Sequence, residues 1–225
     1  MSAAREAILK AVAKALPPSR PDAAAIAAEA HALLSEPQAI RPPLANAGLV
    51  ESFVDKLAGS KVGATVERIP SIALLPEAVA RHLAARKLPV KIALQPTPAL
   101  TALDWGGAGL SPGETVDGSV AVSMARWGIA ETGSLAVHSA ADMPILLNFL
   151  PAVHVIAVRA STIVPYLEDY ADAARKAGDP APRNACLITG ASGTTDIEGN
   201  LVLGAHGPRE LHVIVIGDAS AETRA

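Results

Sequence analysis

Val153-His154-Val155-Ile156-Ala157-Val158 and Leu211-His212-Val213-Ile214-Val215-Ile216 are the two runs that decide the fold. Each is too continuously apolar to be a strand with one face in water. Both are therefore read as strands covered on both faces, which calls for helices above and below a sheet. Further strand-length apolar segments fall at 63–68, 90–95, 119–123, 134–138 and 185–189. Between them the spacing turns helical. Leu49, Val50, Phe53, Val54 and Leu57 share a helical face that Gly59 ends, and helices are also predicted near 74–86 and 161–176. The last of these carries Ile163, Val164, Leu167, Tyr170, Ala171 and Ala174 on one side, with Pro165 tolerated in its first turn. The expected class is α/β, a three-layer α/β/α sandwich. Its sheet should be mixed, because several strands in 119–138 and 185–216 follow one another without a helix between them.

Ahead of this domain, assigned to 46–225, residues 1–45 read as a helical extension. Ile8, Leu9, Val12 and Leu16 recur at helical spacing until Pro17-Pro18. A second helix is expected from Pro21 to about Leu34, with Ser19 available as its cap. Nothing in this extension is chemically suggestive, and it suits covering the domain or assembly. Segment 103–118 holds five glycines and no period, as a long surface loop does. Its Gly107-Ala108-Gly109 lacks the strand-to-helix setting of a dinucleotide fingerprint.

Composition removes several classes of function. Basic and acidic residues number 19 and 22, for a net charge of −3, and they are mixed along the chain, so no positive field exists to hold a phosphate backbone. Two Trp, two Tyr and two Phe leave few platforms for stacking bases. Nucleic acid is thus not an expected partner. No apolar run reaches the roughly 20 residues of a membrane span, and charges interrupt the start where a signal peptide would be apolar, so the expected location is cytoplasmic. Cys186 is the sole cysteine and lies in the apolar run Ala185-Cys186-Leu187-Ile188, as a core thiol would. An iron–sulfur cluster needs about four ligands, so this chain alone holds none.

Chemistry-bearing residues concentrate in two segments. In Gly128-Ile129-Ala130-Glu131-Thr132-Gly133-Ser134, glycines would let the backbone approach a ligand beside Glu131, a candidate general base, and Thr132; a turn with a solvated Glu is the plainer alternative. Residues 190–198, Gly190-Ala191-Ser192-Gly193-Thr194-Thr195-Asp196-Ile197-Glu198, and 204–209, Gly204-Ala205-His206-Gly207-Pro208-Arg209, are denser in polar groups. Ser192, Thr194 and Asp196 could line an anion-binding nest, Arg209 could fork onto a carboxylate, and His206 could carry a proton. A hairpin held by its own polar turns is the competing reading. Asp196, Glu198, His206 and His212 match no closed metal site by spacing, and no nucleophile elbow or P-loop is present.

Taken in order, Ala130-Glu131-Thr132-Gly133, Gly190-x-Ser192-x-Thr194-x-Asp196-Ile197-Glu198 and Gly204-x-His206-Gly207-Pro208 resemble the LUD domain of the LutC/YkgG lactate-utilization family over roughly residues 120–217. Ala191 stands where a Pro is expected of that family. The resemblance implies a fold similar to ribose-5-phosphate isomerase, glucosamine-6-phosphate deaminase and the CoA transferases. It also implies a part in oxidising L-lactate to pyruvate with two iron–sulfur partner subunits resembling LutA and LutB, the clusters residing on those partners and no cofactor on this chain. It brings no assigned catalytic residues. Three roles are open: an accessory or substrate-binding subunit that holds a lactate-like anion, a non-catalytic assembly or regulatory module, and a transferase or isomerase acting on a phosphorylated or CoA-linked substrate.

Overall fold

The computed structural model describes residues 3–16, 22–35, 41–44, 46, 48–59, 63–113, 120–178, 180–195 and 197–217. The chain divides into two compact units, Met1–Pro42 and Pro43–Ala225. The first contains α1 (Ala3–Ala15) and α2 (Ala23–Ser35). The expected cap, Ser19, lies outside the described residues. Asp22 does that work, its Oδ1 accepting the Ala25 N–H at 2.6 Å. Ile8, Leu9 and Val12 of α1 and Ile26 and Leu33 of α2 are exposed.

The second unit contains, in chain order, α3 (Leu49–Ala58), β1 (Thr65–Ile69), α4 (Leu75–Arg86), β2 (Lys91–Leu94), α5 (Pro98–Thr101), β3 (Ser111–Gly113), β4 (Val120–Met124), β5 (Trp127–Ile129), β6 (Ser134–His138) and β7 (Val153–Arg159). It continues with β8 (Ile163–Val164), α6 (Leu167–Lys176), β9 (Ala185–Ile188), β10 (Gly193–Thr195), β11 (Leu201–Leu203) and β12 (Glu210–Ile216). Six strands pair in the order β1-β12-β7-β4-β2-β3, every pair parallel. Pro112 is accommodated because β3 is an edge strand, where a missing N–H costs no ladder bond.

The two apolar runs behave as their composition requires. Val153, Val155 and Ala157 of β7 and Ile214 and Ile216 of β12 face a core shared with Leu75, Val79 and Leu83 of α4. The alternate residues Ile156, Val158, Val213 and Val215 enter a second core on the opposite face, with Phe53 and Leu57 of α3 and Leu135 and Val137 of β6. The architecture is therefore α/β in three layers. The six-stranded sheet is wholly parallel, whereas a second sheet, β8-β5-β6-β9, which shares the far layer with α3, is mixed: β5–β8 is parallel and β5–β6 and β6–β9 are antiparallel; the ribbon β10-β11 is antiparallel.

Two predicted segments are corrected: 103–118, expected to be a long surface loop, contributes β3 and the buried core residues Trp105 and Leu110, and a helix is shortened. The helix expected over 161–176 begins only at Leu167, because Ile163 and Val164 pair with Gly128 and Ile129 as β8. Pro165 thus precedes the helix. Tyr166 is its N-cap, donating its backbone N–H to the Asp169 carboxylate at 3.2 Å.

Candidate functional site

The carboxyl ends of β2, β4 and β7 open on one side of the parallel sheet, where open α/β sheets bind ligands because loops diverge there. A cleft of about 790 Å³ lies at this end. Its walls include Gln95 just after β2, Met124 to Trp127 between β4 and β5, His138 closing β6, Arg159 closing β7, and Pro180 to Arg183 ahead of β9. Arg126, Arg159 and Arg183 supply three cations against one lining carboxylate, Asp142. The site therefore favours anions.

Several contacts fix this end. The buried Gln95 accepts the Met124 N–H on its Oε1 at 2.8 Å, tying β2 to the end of β4. The Arg126 guanidinium sits 4.9 Å from the Trp127 ring centre, a cation–π distance. Trp127 in turn packs near His138 and Tyr170, with ring centres 5.3 and 5.6 Å away. His138 Nε2 and Tyr170 Oη share a hydrogen bond of 2.7 Å, so α6 orients the imidazole that lines the cleft. Partial burial raises the Tyr170 pKa, with Arg126 pulling the other way, so the phenol stays protonated near neutrality. Deeper in the sheet, His154 is fully buried with Nε2 2.7 Å from Ser123 Oγ, and burial lowers its pKa to about 3.

The residues singled out from sequence lie elsewhere. His206 and Arg209 line a second cleft of about 530 Å³ together with Phe149, Leu150 and Leu203. Arg209 immediately precedes β12 and Ala152 immediately precedes β7, so this cleft lies at the amino end of the sheet, opposite the three arginines. The 190–209 segment closes on itself: Ser192 N–H donates to the Pro208 carbonyl at 2.7 Å and Gly204 N–H to the Ser192 carbonyl at 2.8 Å. Gly204 has φ +81°, and a Cβ there would lie 2.7 Å from the Arg209 Cβ, so the turn requires glycine. Thr194 pairs with Val202 inside the ribbon, and Asp196 lies outside the described residues.

Glu131 and Thr132 line neither cleft. Glu131 Oε2 lies 3.4 Å from the Leu167 N–H, at the positive N-terminus of α6. Thr132 Oγ1 is 2.7 Å from Ser134 Oγ, which is 2.5 Å from Thr189 Oγ1, so hydroxyls link the 128–134 segment to the residue just ahead of Gly190. The flanking glycines admit protein. A Cβ on Gly128 would sit 3.0 Å from the Phe53 ring, and one on Gly133 would sit 3.1 Å from the Leu57 nitrogen, both on α3. Sequence reasoning missed Arg126, Arg159, Arg183 and His138. For His138 and Arg159 the available signal was a basic residue closing an apolar strand; Arg126 and Arg183 lie in loops and carried no such signal. Among the described residues no group of three or more His, Cys, Asp or Glu side chains is arranged to hold a metal, and no helix is long and apolar enough to cross a membrane.

A lactate utilization protein C from Deinococcus radiodurans is 31% identical over 192 residues, covering 81% of this chain and 89% of that protein. The chain belongs to the LutC/YkgG family. The LUD domain model matches residues 115–216, which hold Arg126, His138, Arg159 and Arg183 as well as the whole amino-end cleft. A second LutC/YkgG relative, the lactate utilization protein C of Anoxybacillus flavithermus, is 39% identical over 90 residues, 40% of each chain. That match therefore spans only two fifths of the relative's length. The solved structure of a DUF162 family protein from Deinococcus radiodurans aligns with a TM-score of 0.53 at 25% identity, covering 78% of this chain and all of that one.

Proposed function

We propose that this member of the LutC/YkgG family serves lactate utilization by holding a small organic anion, lactate or pyruvate, in the cleft at the carboxyl end of the sheet, as the substrate-binding subunit of a lactate-oxidising complex. The observation that carries the reading is the lining of three guanidinium groups against one carboxylate. In this reading Arg126, Arg159 and Arg183 hold the carboxylate, because a planar guanidinium can form two parallel hydrogen bonds to it. His138, oriented by Tyr170, lies within the same lining and handles the proton at the C2 oxygen. Oxidation of lactate to pyruvate breaks the O–H and C2–H bonds and removes two electrons and two protons, the proton from the C2 oxygen passing to His138 and the C2 hydrogen leaving with the electrons to the acceptor. A chain with one cysteine lacks the ligands for a cluster of its own, so the electron carriers reside on iron–sulfur partner subunits.

Calorimetric titration tests the site. Arg126→Gln and Arg159→Gln should each weaken L-lactate and pyruvate binding by roughly tenfold to a hundredfold, since a hydrogen bond to a charged group contributes about 1.5–3 kcal/mol. Unchanged affinity in both variants would sink the assignment. Arg209→Lys is the comparison, because it removes the planar fork and keeps the charge. A loss confined to that variant would move the anion to the amino-end loop with Ser192, Thr194, Asp196 and His206. The cleft volume of about 790 Å³ favours one second reading, a larger phosphorylated or CoA-linked anion. Sugar phosphates and CoA thioesters titrated in parallel discriminate it, since only that reading expects them to bind more tightly than lactate.

A further inference from the structure

The ribbon β10-β11 is an exposed apolar element. Leu201, Val202 and Leu203 are consecutive and are 67%, 43% and 56% exposed, although alternate residues of a strand face opposite sides. Ile197, at the turn that joins the strands, is fully exposed. Two paired strands on their own are marginal in water and need a third strand or a packed face to persist. The ribbon lacks both among the described residues, since β10 and β11 pair only with each other. Each strand therefore presents an outer edge of unpaired N–H and C=O groups, the usual template for another strand. Phe149 and Leu150, 46% and 52% exposed, extend the apolar surface at the ribbon's base, where they line the amino-end cleft with Leu203.

Charge along this ribbon is polarised. Glu198 occupies the far turn beside Ile197, while His206 and Arg209 stand at the base, all three exposed. No acidic side chain lines the base cleft. A partner for this surface must therefore be apolar in its middle, cationic opposite the tip and anionic opposite the base. An antiparallel copy of the same ribbon has those properties in that order. Under a two-fold axis each contact occurs twice, so Glu198 of each copy would meet Arg209 of the other.

We propose that β10-β11 is a self-complementary dimerisation ribbon. Two copies of this chain join edge to edge through it, with Leu201 and Leu203 buried at the centre and Glu198–Arg209 pairs at both ends. The proposal does not depend on what the carboxyl-end cleft binds.

The test is the mass of the purified full chain by sedimentation and light scattering across micromolar concentrations. The wild type should be a dimer. Leu201→Asp should raise the dimer dissociation constant by at least tenfold while leaving the circular dichroism spectrum and thermal midpoint of the monomer unchanged, because the side chain contributes to no core. Glu198→Arg and Arg209→Glu should each weaken the dimer, and combining them should restore it. Should Arg209→Glu fail to fold, Leu201→Asp and Glu198→Arg still decide the question. A wild type that is monomeric throughout, or a dimer indifferent to Leu201→Asp and Glu198→Arg, overturns the proposal. So does loss in both single charge variants without recovery in the double, which would mean that Glu198 and Arg209 do not meet across the two-fold axis.

Discussion

The imidazole rings of His82 and His212 stack with centres 3.8 Å apart and planes 9° from parallel, between α4 and β12. His212 Nδ1 hydrogen-bonds Thr65 Oγ1 at 2.8 Å, and the nearest carboxylate, Glu67, is 4.0 Å away, too far to hydrogen-bond. Burial first, then repulsion from His82, lowers the His212 pKa to about 4. Burial also lowers that of His82, with Arg86 adding to it and Glu210 and Glu67 opposing. A histidine depressed in the folded state takes up its proton later than the unfolded chain does. Its stabilising effect is therefore complete above the ordinary value near 6.5 and is lost as pH falls toward 4. Each unit of depression is worth about 1.4 kcal/mol, so stability on the order of 3 kcal/mol is lost, relative to neutral pH, once the pH falls below about 4 and His212 must be protonated in the fold. The thermal midpoint should fall between pH 6.5 and 4, and His212→Gln should flatten that fall. Equal slopes in variant and wild type would remove His212 as the cause. Gly133 is a second critical residue: φ is +69°, and a Cβ would press on the backbone of Lys56 and Leu57. Gly133→Ala should cost about 1–3 kcal/mol in urea unfolding, from left-handed strain and overpacking together. A variant as stable as wild type would mean that α3 can yield there.

Helix α6 shows how one element serves both stability and the site. Its first turn receives Glu131 and Asp169, and one turn in, Tyr170 reaches His138 on β6. Removing the phenol hydroxyl leaves the buried imidazole Nε2 without this hydrogen bond, a cost of about 1–3 kcal/mol for a polar group out of water. Tyr170→Phe should therefore lower the unfolding free energy by that amount and weaken lactate binding several-fold, since His138 loses the contact that orients it. Nuclear magnetic resonance of the imidazole nitrogens reads the change directly. Unaltered ring signals together with unaltered affinity would show that α6 does not position His138.

Across the whole molecule, the sheet carries different properties at its two ends. The carboxyl end collects three arginines, an imidazole and a roomy cleft; the amino end collects exposed leucines, a phenylalanine and the turn that closes residues 190–209. The proposed binding at one end and the proposed assembly at the other suit a subunit that works beside others. Cys186, expected in the core, is only part-buried on β9, with Sγ donating to Asn184 Oδ1 at 3.0 Å, and burial raises its thiol pKa, which disfavours the thiolate. The purified chain should thus be colourless and should not reduce acceptor dyes with lactate. Turnover should appear when iron–sulfur partner proteins are added. Steady lactate oxidation by the chain alone, or stoichiometric flavin absorbance, would overturn that division of labour.

Local pattern sufficed for much of this. The unbroken apolarity of β7 and β12 required cover on both faces, the spacing of Phe53 and Leu57 marked the buried side of α3, and the blocks around Glu131, Ser192 and His206 pointed to the LutC/YkgG family. These features are legible because the side-chain period of a strand or helix is written into consecutive residues. Strands of two or three residues, such as β5, β8 and β10, are too short to show a period, and β8 was consequently absorbed into a predicted helix. The site itself was decided by tertiary structure. Arg126, Arg159 and Arg183 each look like ordinary surface charges in sequence. They come to line one cleft because β4 lies beside β7 in the parallel sheet while the loop before β9 folds over the same end. Strand order and the convergence of strand ends arise from long-range packing of two faces, and periodicity along the chain carries no record of which strand lies next to which.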